Sequence, residues 1–296
     1  MSVLFIFIDG IGIGEFNQTK NPFARFFTPY LSIFSNHTET SVPLNGIVVQ
    51  TDPAMGVKGL PQSATGQTAL LTGINASKIL GRHASGFPSP TLRNILAKES
   101  IFLKLQKMGK TATFANAFTP EYFQRSNRQI SATTWSVRAS HFPFRMLNED
   151  LLHDRAISHD LTNEFLARLG YAVPIRSAEQ SAEILANISE TIDFCLFEYI
   201  LTDFIGHQQD MAWAKSELQK LTTFLKTVLN RIDLSEHLVL ISSDHGNFED
   251  LSVATHTHNF VPTVLWGKGR MRAAKQITRI EDVSGAILDF FENESE

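Results

Sequence analysis

The chain predicts an α/β fold with a mostly parallel central sheet, flanking helices and a small cap inserted between two halves of the core. Three observations carry this. Val3–Ile8 is an unbroken apolar run of strand length that ends at Asp9-Gly10, the pattern of a strand buried on both faces. Two further apolar runs, 194–200 and 238–241, end the same way, at polar clusters rich in Asp, His and Gly. Strand-like and helix-like segments alternate up to about residue 117 and again from 187, whereas 118–186 mixes aromatics, arginines and prolines without that rhythm. The expected organisation is a core of 1–117 and 187–296 with a cap or insert of 118–186.

A chain of 296 residues is long enough for one large domain with a substantial core. A net charge of −4 provides no basic field for nucleic acid, and no apolar run is long enough to span a membrane. Nothing resembles a signal segment, so a cytoplasmic protein is expected. The single cysteine, Cys195, sits in an apolar run and reads as a buried, inert thiol.

In chain order, the first strand opens onto Asp9-Gly10-Ile11-Gly12-Ile13-Gly14. The glycines follow G-x-G-x-G and not G-x-G-x-x-G, and no helix opens after them, which disfavours a dinucleotide cradle. Asp9 is then a metal ligand with glycines permitting close backbone approach, or merely a turn cap. Residues 21–36 have apolar spacing suited to a helix covering the sheet. A strand over 46–50 precedes a polar loop and then Gln62-Ser63-Ala64-Thr65-Gly66-Gln67, a helix start whose free N–H groups and dipole suit an anion. Taken alone, Ser63 reads as an N-cap, with nucleophile as the sharper alternative and Thr65 and Thr68 as competing hydroxyls. Arg82 and His83 form a second candidate phosphate contact in a small-residue loop. A helix over 91–108, a strand over 110–115, a helix over 177–191 and a long helix over 208–229 complete the framework, with a strand over 262–266 and a final helix over 281–291.

Ligand-type residues gather at strand ends. Asp203 and His207 follow the 194–200 strand, and Asp244-His245-Gly246-Asn247 follows the 238–241 strand. His256-Thr257-His258-Asn259 precedes the last strand. In a parallel sheet such ends face one way, so Asp9, Asp203, His207, Asp244, His245 and His256 can converge outside the carboxyl ends of the strands. Six N/O ligands exceed one tetrahedral ion and suit a pair of divalent ions; the absence of cysteine favours Zn²⁺ or Mn²⁺.

On these residues the chain resembles the alkaline phosphatase superfamily, in the metalloenzyme branch that holds cofactor-independent phosphoglycerate mutase and phosphopentomutase. Asp9-Gly10-x-Gly12-x-Gly14 resembles the phosphopentomutase opening. Asp203 through His207 resembles the mutases' D-x-x-G-H-type ligands, Asp244-His245-Gly246-Asn247 their D-H-G-N, and His256-Thr257-His258-Asn259-x-Val261-Pro262 their H-T-x-N-x-V-P. The similarity covers roughly 1–80 and 190–296. It implies a three-layer α/β/α fold. It also implies Ser63 as nucleophile, one ion on Asp203, His207 and His256, and a second on Asp9, Asp244, His245 and the Ser63 oxygen. Gln67 stands where the mutases carry His, which implies an altered substrate contact. His258 falls at a variable position and is a candidate substrate contact, not a ligand.

The resemblance implies phosphoryl transfer to and from serine on a small phosphorylated substrate. Because a mutase needs a large, well-formed cap to exclude water, and 118–186 is short and loosely patterned, hydrolysis of a phosphate mono- or diester is the favoured reading. A phosphomutase, or a catalytically silent metal-binding module, are the alternatives.

Overall fold

The computed structural model describes residues 1–37 and 41–293. The strands are β1 (Val3–Ile8), β2 (Ile47–Thr51), β3 (Ala112–Phe114), β4 (Ala117–Phe118), β5 (Arg145–Met146), β6 (Phe194–Tyr199), β7 (Leu238–Ser242) and β8 (Val261–Gly267). Helices α1 (Pro22–Arg25), α2 (Ser63–Thr72), α3 (Ala76–Leu80), α4 (Pro90–Glu99), α5 (Ile101–Lys107) and α6 (Ala132–Arg138) occupy the first half. The second half holds α7 (Glu164–Arg168), α8 (Ala178–Glu190), α9 (Leu201–Gln208), α10 (Met211–Arg231), α11 (Arg270–Gln276) and α12 (Asp282–Glu292).

Six strands form the main sheet in the order β2-β8-β7-β1-β6-β3. β7, β1, β6 and β3 run parallel, with Ile6 beside both Phe197 and Ile241. β8 is antiparallel to β7, and β2 to β8. Alternation along β1 divides the core into two layers. Leu4, Ile6 and Ile8 face a cluster that includes Leu185 of α8 and Leu221 and Leu225 of α10. Val3, Phe5 and Phe7 face Leu70 of α2, Leu96 of α4, Phe102 of α5 and Ile287 of α12. The result is the expected three-layer α/β/α architecture with a mostly parallel sheet.

Three local expectations differ. The 21–36 stretch does cover the sheet, with Phe23, Leu31 and Phe34 buried, but its helix is only α1. Pro29 lacks an N–H and restricts Thr28, so the helix cannot continue through them. The 91–108 helix is two, broken at Ser100, whose Oγ accepts from Phe102 N–H and donates to Ser136 O. The helix expected over 208–229 is α10, and a separate helix, α9, precedes it, starting two residues after β6 and carrying Asp203 and His207.

The 118–186 stretch is built of short pieces. α6 packs on α2, α4 and α5, and its Ala132 and Val137 join the core. Around the 3₁₀ turn Leu151–His153 and α7, Leu147, Leu151, Ala156 and Leu166 make a separate small cluster. Cys195 is buried in β6, and burial pushes its thiol up to about 12, consistent with an inert side chain. Among the described residues no helix is long and apolar enough to cross a membrane.

Candidate metal centre

Four chain segments meet at one edge of the sheet. Asp9 directly follows β1, α9 follows β6, and the 244–247 loop follows β7. His256 lies before β8, so a parallel β8 would have carried it to the opposite edge. The antiparallel direction of β8 is what brings it to the same edge as the others. An isolated bridge between Gly246 and Thr257 then holds the two histidine-bearing loops together.

The site centres on the His245 Nε2 atom, which lies 3.1 Å from Ser63 Oγ, 3.3 Å from Asp244 Oδ2 and 3.5 Å from Asp9 Oδ1. Beside it, Asp203 Oδ1 is 3.6 Å from His256 Nε2, and Asp203 Oδ2 is 3.4 Å from His207 Nε2. The His245 and His256 rings stack at 3.7 Å. All six sequence-predicted ligands and Ser63 are therefore brought together. Two overlapping groups have ligand atoms close enough to share an ion: Asp9, Asp244 and His245, and Asp203, His245 and His256. His207 borders the second group through Asp203 and is the most exposed of the histidine ligands, at 41%.

The donor set fits divalent cations. Asp9 Oδ1 and both Asp244 carboxylate oxygens are buried without a hydrogen-bond partner, an arrangement that is costly unless a cation faces it. Burial, reinforced by the Asp244, Asp203 and Glu198 charges, holds the Asp9 carboxyl well above the ordinary range. Burial and then the Asp203 charge push Asp244 up to about 7. Burial, with the neighbouring His256, pushes His245 down to about 3, so its imidazole is neutral. The Nδ1 atoms of His207 and His256 sit 2.8 and 2.9 Å from the carbonyls of Ala254 and Pro61. Donation to those carbonyls fixes the tautomer that turns the Nε2 lone pair inward, the usual outer-sphere support of a metal-ligating histidine.

Ser63 is the first residue of α2, and not its N-cap: Gln62 occupies that position and makes no side-chain cap bond. Among the described residues neither the Ser63 nor the Ala64 N–H has an acceptor, which leaves two donors and the positive end of a ten-residue helix beside Ser63 Oγ. Gln67 lies one turn on, with Nε2 3.4 Å from Asp9 Oδ2. His83 uses both ring nitrogens, against Ser77 Oγ at 3.0 Å and the Val57 carbonyl at 3.1 Å. The Arg82 and His258 side chains are exposed and make no hydrogen bond or ion pair among the described residues, although the Arg82 N–H donates to the Ser77 carbonyl at 3.0 Å.

Several supporting residues were not singled out from sequence. Thr202 Oγ1 donates to the Asp9 carbonyl at 2.5 Å. Asn247 Nδ2 donates to Asp203 Oδ1 at 2.7 Å. Glu198, buried in β6, accepts from Thr133 Oγ1 at 3.0 Å; burial and the Asp244 charge push it up to about 7 despite that hydroxyl. Only Asn247 carried a signal, as the last residue of Asp244-His245-Gly246-Asn247.

Known proteins resemble this chain over part of its sequence and in its fold. A protein-family model described as the Metalloenzyme superfamily matches residues 170–295, the part that carries five of the six candidate ligands. A 2,3-bisphosphoglycerate-independent phosphoglycerate mutase of Desulforudis audaxviator is 29% identical over 138 residues, 45% of this chain and 25% of the relative. A phosphopentomutase of Alkaliphilus metalliredigens is 30% identical over 95 residues, 30% of this chain and 24% of the relative. The chain thus spans about a quarter of the length of these curated relatives. Among solved structures, the PH0037 protein of Pyrococcus horikoshii superposes with a TM-score of 0.58 at 15% identity, over 100% of this chain and 98% of that one. The chain thus shares its fold with the PH0037 protein, and its residues 170–295 resemble the Metalloenzyme superfamily.

Proposed function

We propose that this protein is a two-ion phosphoryl-transfer enzyme with Ser63 as nucleophile, acting as a hydrolase of small phosphate mono- or diesters. The observation that carries the reading is the position of Ser63 Oγ, 3.1 Å from a buried ligand nitrogen and at the uncapped start of α2. Asp203, His207 and His256 would hold one divalent ion, and Asp9, Asp244, His245 and the Ser63 oxygen the other, with Mn²⁺ or Zn²⁺ suiting the N/O donors. Bound there, such ions supply the positive charge that favours the serine alkoxide and neutralises phosphoryl oxygens.

The chain's own groups do the rest. The Ser63 and Ala64 N–H groups are placed to bind a phosphoryl oxygen and orient phosphorus toward Ser63 Oγ. The Ser63 Oγ–P bond forms as the bond to the ester oxygen breaks, and the alcohol leaves with a proton. Water then cleaves the bond from phosphorus to the serine oxygen, releasing phosphate from a monoester or a phosphate monoester from a diester, and restoring the hydroxyl. Every well-placed histidine faces the ligand cluster, so none is reserved as a general base.

The 118–186 stretch forms only short pieces, with α6 packed on α2, α4 and α5, and the half-exposed His207 supports a site that water can reach. A second reading, intramolecular transfer between two positions of a phosphorylated metabolite, draws on the relatives named as mutases. One experiment separates them: the purified protein with Mn²⁺ or Zn²⁺, given an aryl phosphate ester and a panel of phosphoglycerate and pentose phosphate isomers. Free phosphate, lost in Ser63→Ala, supports the hydrolase; isomerised product without free phosphate supports the mutase. Full turnover by Ser63→Ala removes Ser63 from the mechanism. Two bound ions with no turnover of any ester would leave a silent metal-binding module.

A further inference from the structure

Glu249 is 1% exposed and belongs to none of the ligand groups. No Lys, Arg or His pairs with it among the described residues. Four donors surround its carboxylate instead. Oε2 accepts from the Gly12 and Asn247 N–H groups, both at 2.8 Å. Oε1 accepts from Asn259 Nδ2 at 3.0 Å and from Thr257 Oγ1. A buried carboxylate without a cation is tolerated only when its lone pairs are filled this way.

Those donors come from the three loops that carry Asp9, Asp244 with His245, and His256. Through Asn247 the network reaches a fourth segment, because the same residue that gives its N–H to Glu249 gives its side-chain amide to Asp203 Oδ1 at 2.7 Å. The glycines are fitted to it. A Cβ on Gly12 or on Gly246 would overlap the Glu249 carboxylate, and one on Gly14 would lie 2.9 Å from Glu249 Cγ. The Gly-x-Gly-x-Gly opening is thus a cradle for a protein carboxylate and not for a nucleotide phosphate.

We propose that Glu249 is a positioning residue that couples the two ion subsites, by tying the loops of Asp9, Asp244-His245 and His256 directly and the Asp203 helix through Asn247. It touches neither ion nor substrate. Removing its acceptor capacity loosens both subsites together, whereas removing the Asn247 amide loosens only the one built on Asp203.

The test is Mn²⁺ binding to the full chain, by calorimetry and by equilibrium dialysis with elemental analysis, alongside circular dichroism. Glu249→Gln keeps the shape but turns an N–H toward two donors. The expected result is an unchanged dichroism spectrum with both Mn²⁺ affinities down about 10- to 100-fold, the usual scale for an outer-sphere partner. Asn247→Ala is expected to lower one affinity by a similar factor and leave the other within about two-fold. Thr257→Val removes one donor without disturbing the carboxylate, is milder should Glu249→Gln fail to fold, and is expected to weaken the ion held with His256. A general loss of stability would not produce this one-ion against two-ion pattern. The proposal is overturned if Glu249→Gln binds both ions as wild type does, if it loses only one, or if Thr257→Val leaves both affinities intact. It rests on the two-ion reading, and the two fail separately: wild-type protein that binds no Mn²⁺ ends that reading, whereas equal binding by wild type and Glu249→Gln ends this one.

Discussion

Raising pH from 5 to 8 is expected to increase the stabilisation that Mn²⁺ gives this protein. In the metal-free chain Asp244 is pushed up to about 7, against 3.8 for an ordinary aspartate. An ion entering at pH 5 must therefore displace a proton that it need not displace at pH 8. Between pH 5 and about 7 that proton is worth roughly 3 kcal/mol, at about 1.4 kcal/mol per pH unit. Asp9, held well above its usual range, acts in the same direction. At roughly 2 °C per kcal/mol for a chain of this size, the Mn²⁺-induced rise in Tm should grow by about 6 °C or more. The sign for the metal-free protein alone is the reverse. Raised carboxyl values at Asp244 and Glu198 give stability that is present below their unfolded values and lost as pH rises through about 7. His245, pushed down to about 3, opposes this up to its unfolded value of 6.5 and then contributes no further change. Thermal melts at half-unit pH steps, with chelator and with excess Mn²⁺, measure both curves. A metal-induced shift that is flat or shrinks from pH 5 to 8 would refute the reading of Asp244 as a buried, proton-holding ligand.

Three substitutions test other parts of the site. Gln67→Ala removes the amide near Asp9 and is expected to raise KM a few-fold with Mn²⁺ stoichiometry unchanged, as seen by steady-state kinetics and elemental analysis. His83→Ala leaves Ser77 Oγ and the Val57 carbonyl without their ring partner, so a loss of about 1–2 kcal/mol in urea unfolding is expected, with turnover of the folded protein within about two-fold. Gly206→Ala gains up to about 1 kcal/mol in helix propensity, but its Cβ would overlap the Asn247 side-chain amide. The expected outcome is near-wild-type unfolding free energy with weakened binding of the ion at Asp203, and unchanged binding would exclude Asn247 as the support of that carboxylate.

The sheet and the clustering of the Asp and His residues were legible because each depends on local pattern. Buried parallel strands read as continuous apolar runs, and a strand that ends at Asp-Gly or Asp-His announces its edge. What was not legible depends on pairing. Nothing in the 262–266 run tells whether it enters the sheet parallel or antiparallel, yet that direction decides whether His256 reaches the site. The helix break at Ser100 has no Gly or Pro to mark it, because it is held by a contact with Ser136, 36 residues away. Glu249 was passed over for the same reason. Its four donors lie at Gly12, Asn247, Thr257 and Asn259, and only the folded chain places them around one carboxylate.

The start of α2 shows how stability yields to chemistry here. Helices α4, α6, α8 and α10 each begin with a side-chain cap, from Ser89, Ser131, Ser177 and Asp210. α2, like α7, α9, α11 and α12, does not: Gln62 stands at the cap position in an extended conformation and makes no such bond. A Ser, Thr or Asp there would typically add about 1 kcal/mol. It would also take up the Ala64 N–H and set a side-chain oxygen beside Ser63, in the place the proposed reading gives to a phosphoryl oxygen. The ten-residue helix holds without the cap because Ala64, Leu70 and Leu71 are buried in the core. Its open end is therefore free to bind an anion. Ser63, one position inside that end, presents its hydroxyl to the buried ligands instead of closing the helix with it.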